Sequence, residues 1–313
     1  MNIVPVDRSN LCLAAAVHSA SWQGSHREFC TAEFVALHTP EHQEAYIDRK
    51  MSEGSRFWML TDPRPAGVVS VKDSLIEDLY VLPDRQNMGY GTALLRYAIG
   101  ECPGMPALWI LENNARARRL YEKEGFRETG NRKAVTGKLD EIELAPQIVY
   151  RIADPDDIGL MMRTRLDTLI AVNGLESDHL FGEDFLAAAR KFFLEGDQET
   201  VLALAGDRPV GCATMCYLCL MPTFSHPTGQ RARLMNVYTD GTWRRKGIAY
   251  HMVSLLIRRA WERGATEISL DATEAGRKLY RKLGFTDSGE CMTLDAACRH
   301  DPDNRLNNRE ETT

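Results

Sequence analysis

No apolar run in this chain approaches the roughly 18 residues that a membrane-spanning helix needs. The first residues, Met1-Asn2-Ile3-Val4-Pro5-Val6-Asp7-Arg8, also lack the basic start and sustained apolar core of an export leader. No membrane partner is expected, and a cytoplasmic location is. Positive charge is not in excess either: 38 Lys and Arg against 44 Asp and Glu leave a net charge of −6. That balance gives no general attraction to nucleic acid or anionic lipid, so no nucleic-acid partner is expected. Cysteine is sparse, at eight in 313 residues without regular spacing, which suits a reducing compartment better than a disulfide framework. Cys212, Cys216 and Cys219 come close together in the strand-like run Val210 to Leu220. They have no second ligand pair nearby, and structural zinc takes four ligands in compact pairs, so packed free thiols and no metal are expected. A Gly-x-Ser-x-Gly elbow is missing too. His26, beside Trp22, Ser25 and Cys30, therefore reads as a helix histidine flanking a cleft, and His226, between Ser225 and Pro227, is equally ambiguous.

What the chain does have is one cassette written twice. In the first copy the apolar run Leu79-Tyr80-Val81-Leu82 stops at Pro83. The loop Gln86-Asn87-Met88-Gly89-Tyr90-Gly91 then opens a helix carrying Leu94, Leu95, Ala98 and Ile99. Glycines at 89 and 91 let the loop backbone press N–H groups against an anion, which the dipole of the new helix also attracts. A pyrophosphate suits such a loop. The third glycine of a dinucleotide fingerprint is absent, because Leu94 stands there. Further on comes Leu120-Tyr121-Glu122-Lys123-Glu124-Gly125-Phe126, and the second copy has Arg244-x-x-Gly247-x-Ala249 and then Leu279-Tyr280-Arg281-Lys282-Leu283-Gly284-Phe285. Gly89 recurs as Gly247, Tyr121 as Tyr280 and Phe126 as Phe285, an offset of about 159 residues. A single long repeat means a duplicated domain, not a solenoid.

Around the first cassette the pattern predicts a strand at Ile3 to Val6, helices through Leu11 to Trp22 and Glu41 to Met51, and a hairpin of Arg56 to Thr61 with Ala66 to Val71. Strands at Ala107 to Leu111, Phe126 to Gly130 and Lys138 to Leu144 follow. Ala145-Pro146 should break the last strand, which sets the boundary. The second copy restarts at Ile148 to Ile152, with helices through Met161 to Leu166 and Glu183 to Leu194, and a hairpin of Val201 to Ala205 with Val210 to Met215. The longer loop Met221 to Gly229 comes next, as a candidate wall of an acceptor site. Strand Leu234 to Thr239, helix Gly247 to Arg263, strand Glu267 to Asp271 and helix Thr273 to Leu283 close the copy. The expected organisation is two domains, 1–145 and 146–298, and a polar flexible tail at 299–313. Each domain should be an α/β (α+β) unit whose mixed, mainly antiparallel sheet is flanked by helices.

Gln/Arg-x-x-Gly-x-Gly/Ala after a strand, followed by Leu-Tyr-x-x-x-Gly-Phe, resembles the GNAT superfamily of acyl-CoA-dependent N-acetyltransferases, in tandem. The resemblance covers most of the chain and is sharpest in the two cassettes. It implies acetyl-CoA as acyl donor, with coenzyme A as product, and a small-molecule or peptide amine as acceptor. It also implies direct attack in a ternary complex, without metal or acyl-enzyme. Acetyl-CoA would be held by Leu79, Tyr80, Val81, Gln86, Asn87, Met88, Gly89, Tyr90, Gly91, Thr92 and Asn114 in the first copy. In the second it would be held by Val237, Tyr238, Arg244, Arg245, Lys246, Gly247, Ile248, Ala249 and Thr273, the last replacing the family asparagine.

Acyl transfer to an amine asks for a base, carbonyl-polarising donors and an acid for the departing thiolate. Tyr121 and Tyr280 stand where the family places its acid, although either also suits an aromatic residue packing a helix face. Glu77 is the candidate base, since it alternates with Leu75, Leu79 and Val81 on a strand where partial burial would raise its pKa. The other reading is a solvated or ion-paired glutamate. Asp78, on the opposite face, is the weaker choice. Met235-Asn236 replaces Glu77-Asp78 in the second copy, which makes the first copy the more complete. The competing function is an acyl-CoA-binding regulatory protein with one or both domains inactive. Acceptor identity and oligomeric state are not legible at this level: peptide N-terminus, lysine, polyamine, aminoglycoside and amino acid all stay open.

Overall fold

The computed structural model describes residues 1–27, 30–136 and 139–289, so the tail expected at 299–313 and the end of the second domain near 298 lie outside the described residues. Two compact units result, Met1–Asp271, which contains both sheets, and a smaller one beginning at Ala272.

In the first half, β1 (Asn2–Pro5), β2 (Arg56–Thr61), β3 (Pro65–Lys72), β4 (Leu75–Val81), β5 (Ala107–Leu111), β6 (Phe126–Thr136) and β7 (Leu139–Pro146) form one sheet. Its order is β1-β2-β3-β4-β5-β7-β6. The helices are α1 (Leu11–His26), α2 (Ala32–Ala36), α3 (Pro40–Ser52), α4 (Tyr90–Glu101) and α5 (Ala115–Lys123). In the second half, β8 (Ile148–Ile152), β9 (Gln198–Ala205), β10 (Arg208–Cys219), β11 (Gln230–Thr239) and β12 (Ile268–Ser269) form a sheet ordered β12-β11-β10-β9-β8. It carries α6 (Ile158–Asn173), α7 (Glu183–Glu195) and α8 (Ile248–Glu262). Among the described residues only β4 with β5 and β11 with β12 run parallel. The expected mixed, mainly antiparallel architecture is therefore what the chain adopts.

Sequence explains where the layers meet. Ala14 and Ala15 on α1 have no exposed surface and let the helix lie close on a core of Val17, Ile47, Phe57, Met59 and Val68. Leu94, Leu95, Ala98 and Ile99 form the fully buried stripe of α4. Gly67 on β3 admits that helix, because a Cβ there would lie 2.7 Å from Leu94 Cδ1 and 2.9 Å from the Tyr80 carbonyl oxygen. Gly211 repeats the device, with 2.9 Å to both Met252 Cε and the Tyr238 oxygen.

Several boundaries differ from expectation, among them the ends of β6 at Thr136 and β10 at Cys219. Strand β7 runs through Ala145-Pro146, pairing Phe126 with Pro146. The proline is tolerated because it lies beyond Leu144, the last residue registered with β5. Strand β12 is only two residues long, and β11 starts at Gln230, ahead of Leu234.

The two halves touch within the large unit. Glu124 takes two hydrogen bonds from Arg96, at 2.9 and 2.8 Å, and lies 3.8 Å from Arg208 of the second half. Trp243 is 1% exposed beside Thr242, which faces Gly100 of α4. Among the described residues no helix is long and apolar enough to cross a membrane. The smaller unit carries α9 (Glu274–Lys282). Thr273 caps it on Gly276 N at 3.3 Å, and Arg277 and Arg281 hold Asp287 at 2.6 and 2.9 Å.

Candidate functional site

In each half a strand parts from its parallel neighbour and ends in a helix-opening loop. Register between β4 and β5 stops after Leu75 with Ala107 and Ile76 with Leu108, so Leu79, Tyr80 and Val81 lie past the last pair. Between β11 and β12 it stops after Ala232 and Arg233, leaving Val237 and Tyr238 in the same position. The side chain of Gln86 donates to the Val81 carbonyl at 2.9 Å, and Arg244 does the same to Thr239 at 3.2 Å. One residue later Asn87 and Arg245 both adopt φ 66°. Gly89 then caps α4 at φ 85°, ψ −6°, and Gly247 caps α8 at φ 81°, ψ −4°. The two loops follow one backbone path, in a region L-residues enter only at a cost.

The first amides of α4 and α8 have no partner within their helices and so offer a concentrated positive end. A Cβ on Gly89 would meet nothing within 4 Å, and one on Gly247 only His251 Cδ2 at 3.9 Å. Both glycines thus face open space in front of the helix, the geometry of an anion cradle. Not every predicted contact is free to serve. Tyr90 donates to Asp62 at 2.8 Å and is buried, as is Ile248. Lys246 is 9% exposed and donates to the Cys102 carbonyl at 2.9 Å, so its ammonium braces the two halves. Asn114 Oδ1 caps α5 on Ala117 N at 3.0 Å, leaving its Nδ2.

The strand carboxylates are arranged differently from the alternation argument. Ser70 pairs with Asp78 and Val71 with Ile76, so β4 holds one extra residue, Glu77, at this register shift. The irregularity breaks the alternation, and the buried carboxylate is Asp78, 7% exposed. Glu77 pairs with Lys50 and accepts from Ser55 Oγ at 2.6 Å. Asp78 accepts from Ser70 Oγ at 2.7 Å and from Tyr46 Oη at 3.3 Å, and lies 3.3 Å from His18 Nε2. Burial works to raise the Asp78 pKa, but the His18 hydrogen bond and charge and the Ser70 hydroxyl outweigh it and hold the group below the usual carboxylate range. The remaining ring nitrogen of His18, Nδ1, is buried and has no hydrogen-bond partner among the described residues.

Two phenols complete the cluster. The Tyr80 ring lies 4.7 Å from that of His18. Tyr121 is 6% exposed, and burial together with the Asp78 charge pushes its phenol well up, so it is held as the protonated acid. Tyr80 is raised by burial, Asp78, Tyr46 and Tyr121 together. A protonated phenol, a His–carboxylate pair and a second phenol on the parted strand thus lie in one place. Tyr280 belongs to the smaller unit, where its ring lies 5.9 Å from Phe285.

Sequence reasoning missed His18 and Tyr46 altogether. No local signal marks them, because they reach Asp78 from helices 60 and 32 residues away in the chain. His26 stacks on Trp22 at 4.0 Å and bonds the Trp22 carbonyl, and His226 bonds Thr266 at 3.1 Å. Cys212 and Cys216 are buried and Cys219 is exposed.

The sequence profile of the Acetyltransferase (GNAT) family matches residues 22–126 and again 168–285. The chain belongs to that family. As a GNAT protein it is 30% identical to an uncharacterised N-acetyltransferase of Mycobacterium bovis, over 30% of this chain and 72% of the relative, and equally to one of Mycobacterium tuberculosis. Among solved structures, a protein described as a predicted acetyltransferase, from Clostridium acetobutylicum and with acetyl-CoA, is 30% identical at TM-score 0.45, covering 49% of this chain and 99% of its own. A GCN5-related N-acetyltransferase from Ralstonia eutropha is 24% identical at TM-score 0.41, covering 48% and 99%. GNAT membership supports acyl transfer as the class of chemistry.

Proposed function

We propose that this protein is a cytoplasmic tandem N-acetyltransferase of two domains, 1–145 and 146–298, that uses acetyl-CoA to acetylate a primary amine, on a small molecule or peptide, with the first domain doing the chemistry. The observation that carries the reading is the convergence in the first half of the Gly89 anion cradle, the parted strand β4 and the buried Tyr121, Asp78 and His18. Acetyl-CoA supplies an activated thioester when bound. Gln86 to Thr92 hold its pyrophosphate, and Leu79 to Val81 offer main-chain groups to its pantetheine arm. The amine nitrogen forms the new C–N bond as the C–S bond breaks. Tyr121 gives its proton to the leaving sulfur, and the amine gives up its proton to the protein.

The proton acceptor in this reading is His18 and not Glu77. If Nε2–H is donated to ionised Asp78, the Nδ1 lone pair is free, whereas Glu77 is tied to Lys50 and Ser55. Coenzyme A release by the full chain, screened against amines of each class, tests the proposal, with Tyr121→Phe and His18→Gln as controls. One observation favours a non-catalytic, acyl-CoA-binding second half: Asn236 stands where Asp78 does in the first, and no strand carboxylate replaces it.

A further inference from the structure

The second half holds an apolar cavity of about 240 Å³ between α6, α7, β10 and β11, walled by Phe185, Phe192, Phe193 and Met235. Arg165 and Asn236 enter it among these carbons, and Thr214, whose hydroxyl is paired with that of Thr200 at 2.8 Å, lines it too. Arg165 is half-buried and burial pulls its pKa down. Its one hydrogen bond is a long one, Nη1 to Asn236 Oδ1 at 3.4 Å, and among the described residues no carboxylate pairs with it. A guanidinium has five N–H donors, and most of those on Arg165 have no protein partner among the described residues and are open to a ligand in the pocket. Asn236 sits at φ 56° in the register shift of β11, a strained place for a residue other than glycine. Its carbonyl accepts from Cys212 Sγ at 3.3 Å and its Nδ2 lies 3.5 Å from that sulfur, which turns Oδ1 toward Arg165.

The duplication relates this cavity to the first half by position. Helices α1 and α6 are both 16 residues long, and His18 and Arg165 occupy the same place in them. Helices α3 and α7 are both 13 residues long, and Tyr46 of one answers to Ala189 of the other, which lines the cavity. Asp78 answers to Asn236. Where the first half has a His–Asp pair under a tyrosine, the second has an Arg–Asn pair under an alanine. At the matched positions an amide replaces the carboxylate, a guanidinium the imidazole and a methyl group the phenol.

We infer that the second half binds a small monocarboxylate with an apolar or aromatic body, its acid on Arg165 and its body against the phenylalanines. The occupant has to satisfy both walls. An inorganic anion leaves the aromatic wall bare, a neutral hydrocarbon leaves Arg165 unpaired, and an amine meets a like charge. At about 240 Å³ the pocket exceeds the roughly 150 Å³ cavity that takes up a benzene ring, and it opens to solvent beside Phe192 and Met235, both 44% exposed, so a ring with a short acid arm fits. The inference stands whether or not either half transfers acetyl groups, because binding is read without acetyl-CoA.

Calorimetric titration of the full chain with 3-phenylpropionate, 3-phenylpropanol and 3-phenylpropylamine tests it. The acid should bind roughly 10- to 100-fold tighter than the alcohol, as expected for hydrogen bonds to a charged group, and the amine should be weakest. Arg165→Met should erase the advantage of acid over alcohol, Arg165→Lys should keep part of it, and Ala189→Tyr should abolish binding of both. Equal affinity of acid and alcohol for the unmodified protein overturns the inference without reference to any variant. So does the absence of binding by all three probes at millimolar concentration, or undiminished acid binding by a folded Arg165→Met protein.

Discussion

Replacing Gly89 by valine separates the cost of folding from the loss of anion binding. At φ 85° any side chain is strained, by about 1–2 kcal/mol for an L-residue in the left-handed region. The Cβ itself meets no protein atom within 4 Å, so no packing penalty adds to the strain. At about 2–4 °C per kcal/mol the melting temperature should fall by several degrees and the protein should stay folded. The same Cβ and its two methyls stand in front of the α4 amides, in the space an anion would fill, so acetyl-CoA affinity in that half should drop at least roughly tenfold, equivalent to about 1.4 kcal/mol or more. Gly247→Val should act alike on the second half, since only His251 Cδ2 lies within reach of its Cβ, at 3.9 Å. Gly67→Ala is the control. It forces a Cβ to 2.9 Å from a backbone oxygen and should destabilise by about 1–3 kcal/mol through overpacking, with any ligand effect following stability. Titration calorimetry with acetyl-CoA on both single variants and the double variant reads the result. Each single variant should lose one binding event and the double both. A folded double variant that titrates like the parent protein refutes the cradle assignment.

Tyr121→Phe should lower turnover by about 10²- to 10⁴-fold with acetyl-CoA affinity retained; unchanged turnover would assign the ring to packing alone. His18→Gln and Asp78→Asn should each cost turnover on a similar scale while Glu77→Gln costs far less, and steady-state kinetics showing the reverse order would return the base to Glu77. Asp78 also predicts acid sensitivity. Its folded pKa lies below the unfolded value of about 3.9, so its stabilisation is complete above that pH and is lost as pH falls through the folded value. Urea unfolding across the acid range should show a shallower dependence in Asp78→Asn, and identical slopes would remove the coupling.

The duplicated cassette was legible because its determinants are local. A glycine at positive φ, the side chain five residues on that ties the strand end, and the apolar stripe of the following helix all fall within one short segment. The resulting loops match to within 4° at φ of the capping glycine. The buried carboxylate cluster was not legible, for two reasons. One extra residue in β4 cancels strict alternation, so periodicity pointed to Glu77 when Asp78 is the buried carboxylate. The partners that give Asp78 its character arrive from α1 and α3, and a histidine amid the alanines of α1 carries no sequence mark of its target. The apolar pocket of the second half was not legible for a similar reason. Its walls come from α6, α7, β10 and β11, far apart in the chain, while the loop Met221 to Gly229 closes on itself through Leu220 N to Gly229 O at 2.9 Å and leaves Phe224 fully exposed.

The most direct test of the central claim is thiol release from acetyl-CoA by the full chain, monitored against a panel of primary amines, with the acylated product identified by mass spectrometry. The account predicts release that depends on the amine, an N-acetylated acceptor in equal amount, no acetylated form of the protein on the path, and loss of activity in Tyr121→Phe. Saturable binding of acetyl-CoA with no amine-dependent release from any acceptor would contradict it and leave an acyl-CoA-binding regulatory protein.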